Sequence, residues 1–185
     1  AGGRLYRKTE QRLQGVQKLF PRDRIGVFLG LRDFATFLPA VYKATPHGSF
    51  DEFLGGVDPM HLRWSDLVRR IREAVPGMPV TVWCNEDTPL IWGQILREMA
   101  GIPLERKIIG SFDVFSEIIN PEGMRRFRAF LKENPGVNEA QKRRVMTAFL
   151  DKYALDEAIE EELDLPGWDA AYVDMLTELY DEDVW

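Results

Sequence analysis

A continuous apolar run at residues 25–31, Ile-Gly-Val-Phe-Leu-Gly-Leu, constrains the fold of this chain more than any other segment. Its length and its lack of polar alternation are typical of a strand that is buried on both faces, as in parallel sheets. A second apolar and β-branched run at 79–84 predicts another strand. Helical patterns fill the long connection between the runs, so we expect a parallel pair joined by a right-handed crossover.

Apolar residues at helical spacing predict helices around both strands. The predicted helices cover about 4–20, 33–44, 50–54, 65–75, 88–100 and 121–134, followed by a helix capped by Asn138 and a last helix after Asp169. The helix after Asn138 reaches Leu150, and its continuation to Leu163 is left open. We expect Pro39 to kink its helix or to mark its first turn, and Ser65 to act as an N-cap.

Composition excludes several classes of protein. A hydrophobic fraction of 45% and a charged fraction of 29% are ordinary for a soluble globular chain and exclude disorder or a collagen-like fold. No apolar run reaches the roughly 18 residues of a membrane-spanning helix. One cysteine and two histidines exclude a disulfide framework, a multi-cysteine zinc site and a histidine-rich metal centre. We therefore expect a cytoplasmic chain with no metal and no membrane partner.

Charge divides the chain unevenly. Residues 151–185 hold thirteen acidic residues and one basic residue, whereas residues 1–150 carry an excess of basic ones. The acidic segment is either a solvated tail or a docked one. Residues 1–150 either have a generally basic surface or hold a basic concavity for an anion. We expect docking, with the acids near the basic helices at 125–144, because seven large apolar residues exceed what a solvated tail needs. They are Leu155, Ile159, Leu163, Trp168, Tyr172, Leu176 and Leu179.

Two parallel strands cannot cover both faces and both edges of a sheet. We therefore expect these residues to be the C-terminal part of a larger α/β fold. A further strand is expected to precede Ala1 in sequence and to pair beside residues 25–31. A second copy or another chain that completes the sheet is the alternative.

Three short motifs in order resemble the P-loop sulfotransferases. Residues 29–33, Leu-Gly-Leu-Arg-Asp, followed by Val41-Tyr42, resemble the family's segment that binds the nucleotide 3′-phosphate. Residues 80–87, ending Asn-Glu-Asp, resemble its later strand, and Met99 to Pro103 resembles the close of its next helix. The resemblance covers roughly residues 24–104 and is closest to sulfotransferase-like proteins of uncertain function from α-proteobacteria.

The resemblance implies a partial three-layer α/β/α parallel sheet in residues 1–120, with 121–185 as a helical C-terminal extension packed on it. It also implies transfer of a sulfuryl group from 3′-phosphoadenosine 5′-phosphosulfate to a carbohydrate or small hydroxyl acceptor, with Arg32 holding the 3′-phosphate. The alternative is a catalytically inactive binding or scaffold protein of this fold.

The chain also departs from the family pattern. Ala40 stands where the family has a phosphate-binding serine, and alanine cannot donate a hydrogen bond. The family's phosphate loop and its catalytic histidine or glutamate lie upstream of the Arg32 strand. No residue of this sequence inherits those roles.

Other polar residues have two interpretations each. Arg32 binds phosphate or pairs with a carboxylate such as Asp33 or Glu86. Glu86 and Asp87 act either as a catalytic base or metal ligands, or in a structural role in which Asp87 caps the next helix. We favour the structural role. For His47, His61 and Cys84 we favour surface or packing roles over catalysis.

A run of basic residues invites a nucleic-acid interpretation. The run comprises Arg125, Arg126, Arg128, Lys132, Lys142, Arg143 and Arg144. Phe127 and Phe130 alternate with these arginines at helical spacing, which predicts a core face and not a stacking platform. We expect no nucleic-acid partner.

Overall fold

The computed structural model describes residues 4–45, 48–103, 106–159, 165 and 167–184. Within them lie two strands and ten α-helices. They are α1 (Thr9–Leu19), β1 (Val27–Leu31), α2 (Phe34–Ala44), α3 (Phe50–Leu54), α4 (Trp64–Ala74), β2 (Val80–Cys84), α5 (Thr88–Ala100), α6 (Asp113–Glu117), α7 (Pro121–Glu133), α8 (Glu139–Tyr153), α9 (Asp156–Ile159) and α10 (Ala170–Val184). Short 3-10 turns cover Pro59–His61 and Asn85–Asp87.

The chain forms two compact units. The first, here the strand unit, comprises Ala1–Cys84 and Leu163–Trp185. The second, here the helical unit, is Asn85–Glu162. These boundaries differ from the predicted division at residue 120, but compactness alone does not define a domain, so that division stays a prediction.

Both predicted strands are present and pair in parallel. Val27 lies opposite Val80 and Leu31 opposite Cys84. Gly30 lies opposite Trp83, and a Cβ on this glycine would meet the indole at 3.3 Å, so glycine lets the ring lie close to β1. The expectation of burial on both faces is wrong for most of β1, because only Leu31 is buried and its other residues are half-buried.

The described residues are mostly helical with this small parallel sheet, which is compatible with the predicted α/β class. The sheet holds two strands within the described part of the chain. The helices of the strand unit supply its apolar core. Its largest fully buried side chains are Trp64, Phe34, Leu67, Leu176, Val75 and Pro39.

The C-terminal segment docks in this core, as expected from its apolar residues. Trp168 and Leu176 are buried, and Tyr172 packs against them. Leu155, Ile159 and Leu179 do not belong to this core, and Ile159 is half exposed. Leu163 lies outside the described residues. The expected approach of the tail's acids to the basic helices stays a prediction.

Trp168 compensates for a proline inside α2. Pro39 has no N–H to donate to the carbonyl of Ala35, four residues earlier, and that carbonyl is fully buried. The indole Nε1 of Trp168 donates to it at 3.0 Å. The helix therefore continues through Pro39 from Phe34 to Ala44 instead of beginning at it.

Asp183 caps α4 from a distant part of the sequence. Its Oδ2 accepts hydrogen bonds from the backbone N–H groups of Trp64 at 2.5 Å and Ser65 at 3.1 Å, and its Oδ1 accepts one from the Ser65 hydroxyl. The expected N-cap role of Ser65 is wrong, because the helix begins at Trp64 and Arg63 is its N-cap residue. A carboxylate at this helix N-terminus is favourable also through the helix dipole.

An ion pair joins α1 to α4. Arg70, only 5% exposed, donates from Nη1 to Glu10 Oε1 at 2.9 Å, and its Nε lies 3.1 Å from Asp66 Oδ2. A backbone hydrogen bond at Glu10 lowers the pKa of its carboxyl most, burial opposes this, and Arg70 lowers the pKa further. The ionised carboxylate therefore stabilises the docking of α1.

This docking is expected to weaken in acid. The pKa of Glu10 in the folded protein lies below its ordinary value. The stabilisation of α1 docking by Glu10 is therefore fully present above the ordinary pKa and is lost as the pH falls through the pKa of the folded state. Amide exchange in α1, corrected for its intrinsic pH dependence, is expected to rise as the pH falls below about 4.5 and to stay level above that pH. Glu10→Gln should reduce this pH dependence; an unchanged profile would contradict the role of the carboxylate.

The helical unit is built around Phe127, which is fully buried among aromatic neighbours. Its ring centroid lies 5.2 Å from those of Phe112 and Phe115 and 5.6 Å from that of Phe149. The predicted core face on α7 is confirmed for Phe127. The sequence left open whether α8 continues towards Leu163; it ends at Tyr153, and an antiparallel bridge follows between Ile119 and Ala154.

Candidate functional site

Arg32 follows β1 at the carboxyl end of the parallel pair, where ligands bind in open α/β sheets. Its side chain is half-buried, and its Nε donates to Thr36 Oγ1 at 2.9 Å. Its carbonyl accepts a hydrogen bond from the Trp64 indole at 2.8 Å. The structure thus shows a guanidinium positioned by α2, and its role in phosphate binding stays a prediction.

Asp33 accepts hydrogen bonds from the backbone N–H groups at the N-terminus of α2. The Asp33 carboxylate accepts a hydrogen bond from the Ala35 N–H at 2.8 Å, and its carbonyl accepts from the N–H groups of Thr36 and Phe37. A helix N-terminus binds phosphate through such N–H groups. Here the Asp33 side chain already accepts a hydrogen bond from one of these N–H groups.

Side chains of α10 occupy the same corner between β1 and α2. The Tyr180 hydroxyl donates to the carbonyl of Leu31 at 3.2 Å, and the Thr177 hydroxyl donates to Asp33 Oδ2 at 2.6 Å. Leu31, Asp33 and Tyr180 are each at most 9% exposed. Both α10 residues were absent from the predicted site. The only signal was the helical spacing of Tyr180 after Leu176, which indicates a buried face but no partner.

The later part of α2 carries Ala40 and Tyr42. The methyl side chain of Ala40 has no hydrogen-bond donor. The Tyr42 hydroxyl donates to the carbonyl of Gly48 at 2.9 Å, and its ring packs edge-on against Phe50 at 5.2 Å. Tyr42 therefore holds Gly48, two residues before the start of α3.

The acidic pair after β2 lies on the surface. Glu86 and Asp87 are exposed and belong to a 3-10 turn. Asp87 stands at the N-cap position of α5, as predicted, but its side chain makes no capping hydrogen bond. In the part of the chain that is described, no group of three or more His, Cys, Asp and Glu side chains is placed to hold a metal ion.

The remaining candidates occupy separate places. His61 is largely exposed, and its Nδ1 lies 3.1 Å from Asp58 Oδ2. Cys84 is a half-buried thiol at the end of β2. His47 lies outside the described residues.

Members of the predicted basic run have different surroundings. Arg126 pairs with Glu122 at 2.6 Å and lies over the Tyr153 ring. Lys132, Lys142 and Arg143 instead line a cavity of the helical unit, together with Arg97 and Lys107. Sequence reasoning missed Arg97, although its place seven residues after Leu90 puts both on one face of α5.

No family model, no curated protein and no solved structure matches this chain. No helix within the described ranges is both long and apolar enough to cross a membrane.

Proposed function

We propose that this chain is a catalytically inactive sulfotransferase-like binding or scaffold protein with a three-layer α/β/α sheet. One observation carries the proposal. The corner between β1 and α2, which would hold the 3′-phosphate, is occupied by the side chains of Asp33, Thr177 and Tyr180. The Asp33 carboxylate accepts hydrogen bonds from the Ala35 N–H and the Thr177 hydroxyl, and the Tyr180 hydroxyl donates to the carbonyl of Leu31.

A phosphate at this corner would be energetically unfavourable. It would have to displace the Asp33 carboxylate from the α2 N-terminus, or accept a like charge beside it. It would also leave the buried hydroxyl of Tyr180 or the carbonyl of Leu31 without its partner, at a cost of about 1–3 kcal/mol for each group. The residues present therefore do not fit 3′-phosphoadenosine 5′-phosphosulfate in this arrangement.

The two described strands leave room for partners of such a scaffold. A three-layer sheet needs further strands beside β1 and β2, supplied by another chain or by residues outside the described ones. We propose that completing this sheet is the binding role of the strand unit and that the protein acts in the cytoplasm.

The position of Arg32 favours a second candidate. A guanidinium at the carboxyl end of a parallel strand is well suited to a phosphate. In this alternative the protein transfers a sulfuryl group from 3′-phosphoadenosine 5′-phosphosulfate to a carbohydrate or small hydroxyl acceptor, and Arg32 holds the nucleotide.

Titration calorimetry with adenosine 3′,5′-bisphosphate separates the two candidates. We expect no heat of binding from the wild-type chain, because Asp33 and α10 fill the corner. Binding that Arg32→Ala weakens by about 1.5–3 kcal/mol would overturn the scaffold proposal and support the enzyme. Arg24→Ala is the matched control, since Arg24 is an exposed arginine shortly before β1. Equal weakening by both variants would indicate general charge attraction and would not support an Arg32 site.

A further inference from the structure

A cavity of about 430 Å³ lies within the helical unit. Its walls come from α5, the segment around 107–112, the end of α7 with the turn after it, and α8. Cavities that hold small molecules are commonly about 300–1,000 Å³. The volume thus suits a compact ligand.

The charged side chains of the lining are mostly basic. Five of them carry positive charge and one carries negative charge. The basic ones are Arg97, Lys107, Lys132, Lys142 and Arg143, and the acidic one is Glu139. Glu139 Oε1 lies 2.7 Å from Lys142 Nζ and so offsets one of the five. The remaining cations line a concave surface and repel one another. Such a surface focuses a positive electrostatic potential in the cavity.

Arg97 is the buried member of this group. It is 7% exposed, and its Nε and Nη1 donate to the carbonyls of Arg106 at 3.2 Å and Gly93 at 2.9 Å. Among the described residues no carboxylate forms an ion pair with it. Backbone carbonyls therefore orient the guanidinium. Because it has no carboxylate partner among the described residues, an anion beside it would be favourable.

Apolar and neutral polar residues form the rest of the lining. Met146 is 2% exposed, and Leu90, Phe112 and Leu131 pack against the same core cluster. Gly93 lets Ser111 pack closely against α5, because a Cβ there would lie 2.9 Å from Ser111 Cβ. The cavity thus combines an apolar surface with a surplus of cations.

We propose that this cavity binds a small organic phosphate, with the dianionic head among the lysines and arginines and a compact apolar body on the Met146 side. A phosphate monoester suits the site better than a carboxylate, because its second charge neutralises more of the surplus. This site contains no residue of the Arg32 corner and does not depend on the function proposed for that corner.

The probe is 2-naphthyl phosphate, titrated into the full chain by calorimetry. Inorganic phosphate and the neutral 2-naphthol are the comparison ligands. Because the cavity offers both kinds of contact, we expect 2-naphthyl phosphate to bind at least about tenfold more tightly than either. Failure to bind at millimolar concentration, or equal binding of 2-naphthol, would overturn the proposal.

Matched variants locate the binding. Arg143→Gln and Lys132→Gln remove cations from the lining and are expected to weaken binding of the probe by about five- to tenfold each. Arg144→Gln removes the same charge from the neighbouring position of α8, outside the cavity lining, and should leave binding nearly unchanged. Equal weakening by Arg144→Gln, or none by the other two, would refute a site in this cavity. Arg97→Gln is expected to have the largest effect. Because Arg143 is half-buried and Lys132 is exposed, their variants keep the test valid if Arg97→Gln fails to fold.

Discussion

A Trp168→Ala substitution is expected to lower the free energy of unfolding of the strand unit by about 3–5 kcal/mol. The indole is 8% exposed and meets Phe50 and Tyr172 edge-on, with ring centroids 5.2 and 5.0 Å away. The substitution leaves a cavity and also removes the hydrogen-bond donor for the Ala35 carbonyl, which Pro39 cannot replace. Both losses act at the junction between α2 and the C-terminal segment.

Two further variants separate these losses. Trp168→Phe keeps an aromatic ring but leaves the buried carbonyl without its donor, for which we expect about 1–3 kcal/mol. Met175→Ala truncates an exposed apolar residue of α10 and should change stability by at most about 0.5 kcal/mol. Denaturant unfolding with hydrogen exchange measures both the size and the place of the effect. Unchanged exchange in 34–44 and 167–184 for Trp168→Ala would contradict the docking of this segment.

Local patterns in the sequence were sufficient for the elements of the strand unit. The uniform apolar character of residues 25–31 and 79–84 predicted two strands and their parallel pairing, which the structure confirms. Spacing of Trp168, Tyr172 and Leu176 likewise predicted that an acidic segment would dock. These inferences needed only short-range periodicity, which reports which side of an element is buried.

Contacts between distant residues could not be predicted in this way. Asp183 completes the N-terminus of α4, and Trp168 completes the helix that Pro39 interrupts. Neither residue stands out in its own segment. Asp183 is one of many acidic residues there, and Trp168 is an aromatic residue near the start of a helix. The local rule assigned the α4 cap to Ser65, whereas a carboxylate more than a hundred residues away accepts the hydrogen bonds.

The candidate sites show the same division between local and distant information. The place of Arg32 after a strand follows from the sequence, but the filling of its corner by Thr177 and Tyr180 does not. The basic residues of α7 and α8 were visible as a run, yet only the fold places Lys132 and Arg143 around one cavity with Arg97. An arginine within an apolar helix face was the one local signal of that cavity.

A Phe127→Ala substitution is expected to have a comparable effect on the helical unit, again about 3–5 kcal/mol. Phe127 is fully buried, and three aromatic rings meet it at centroid distances of 5.2 to 5.6 Å. Its removal leaves an unfilled space among side chains from α6, α7 and α8. Phe112 also lines the cavity, so its loss of a packing partner should loosen one cavity wall.

Phe130→Ala supplies the matched control on the same helix. Phe130 is half-buried and lies outside the cluster around Phe127, so its truncation removes fewer contacts and should cost clearly less. Hydrogen exchange is expected to rise across 113–153 for Phe127→Ala and to change little for Phe130→Ala. Binding of 2-naphthyl phosphate should weaken with Phe127→Ala, because Phe112 is then held less firmly against the ligand. Similar losses of stability for the two variants would show that Phe127 does not form the centre of this core.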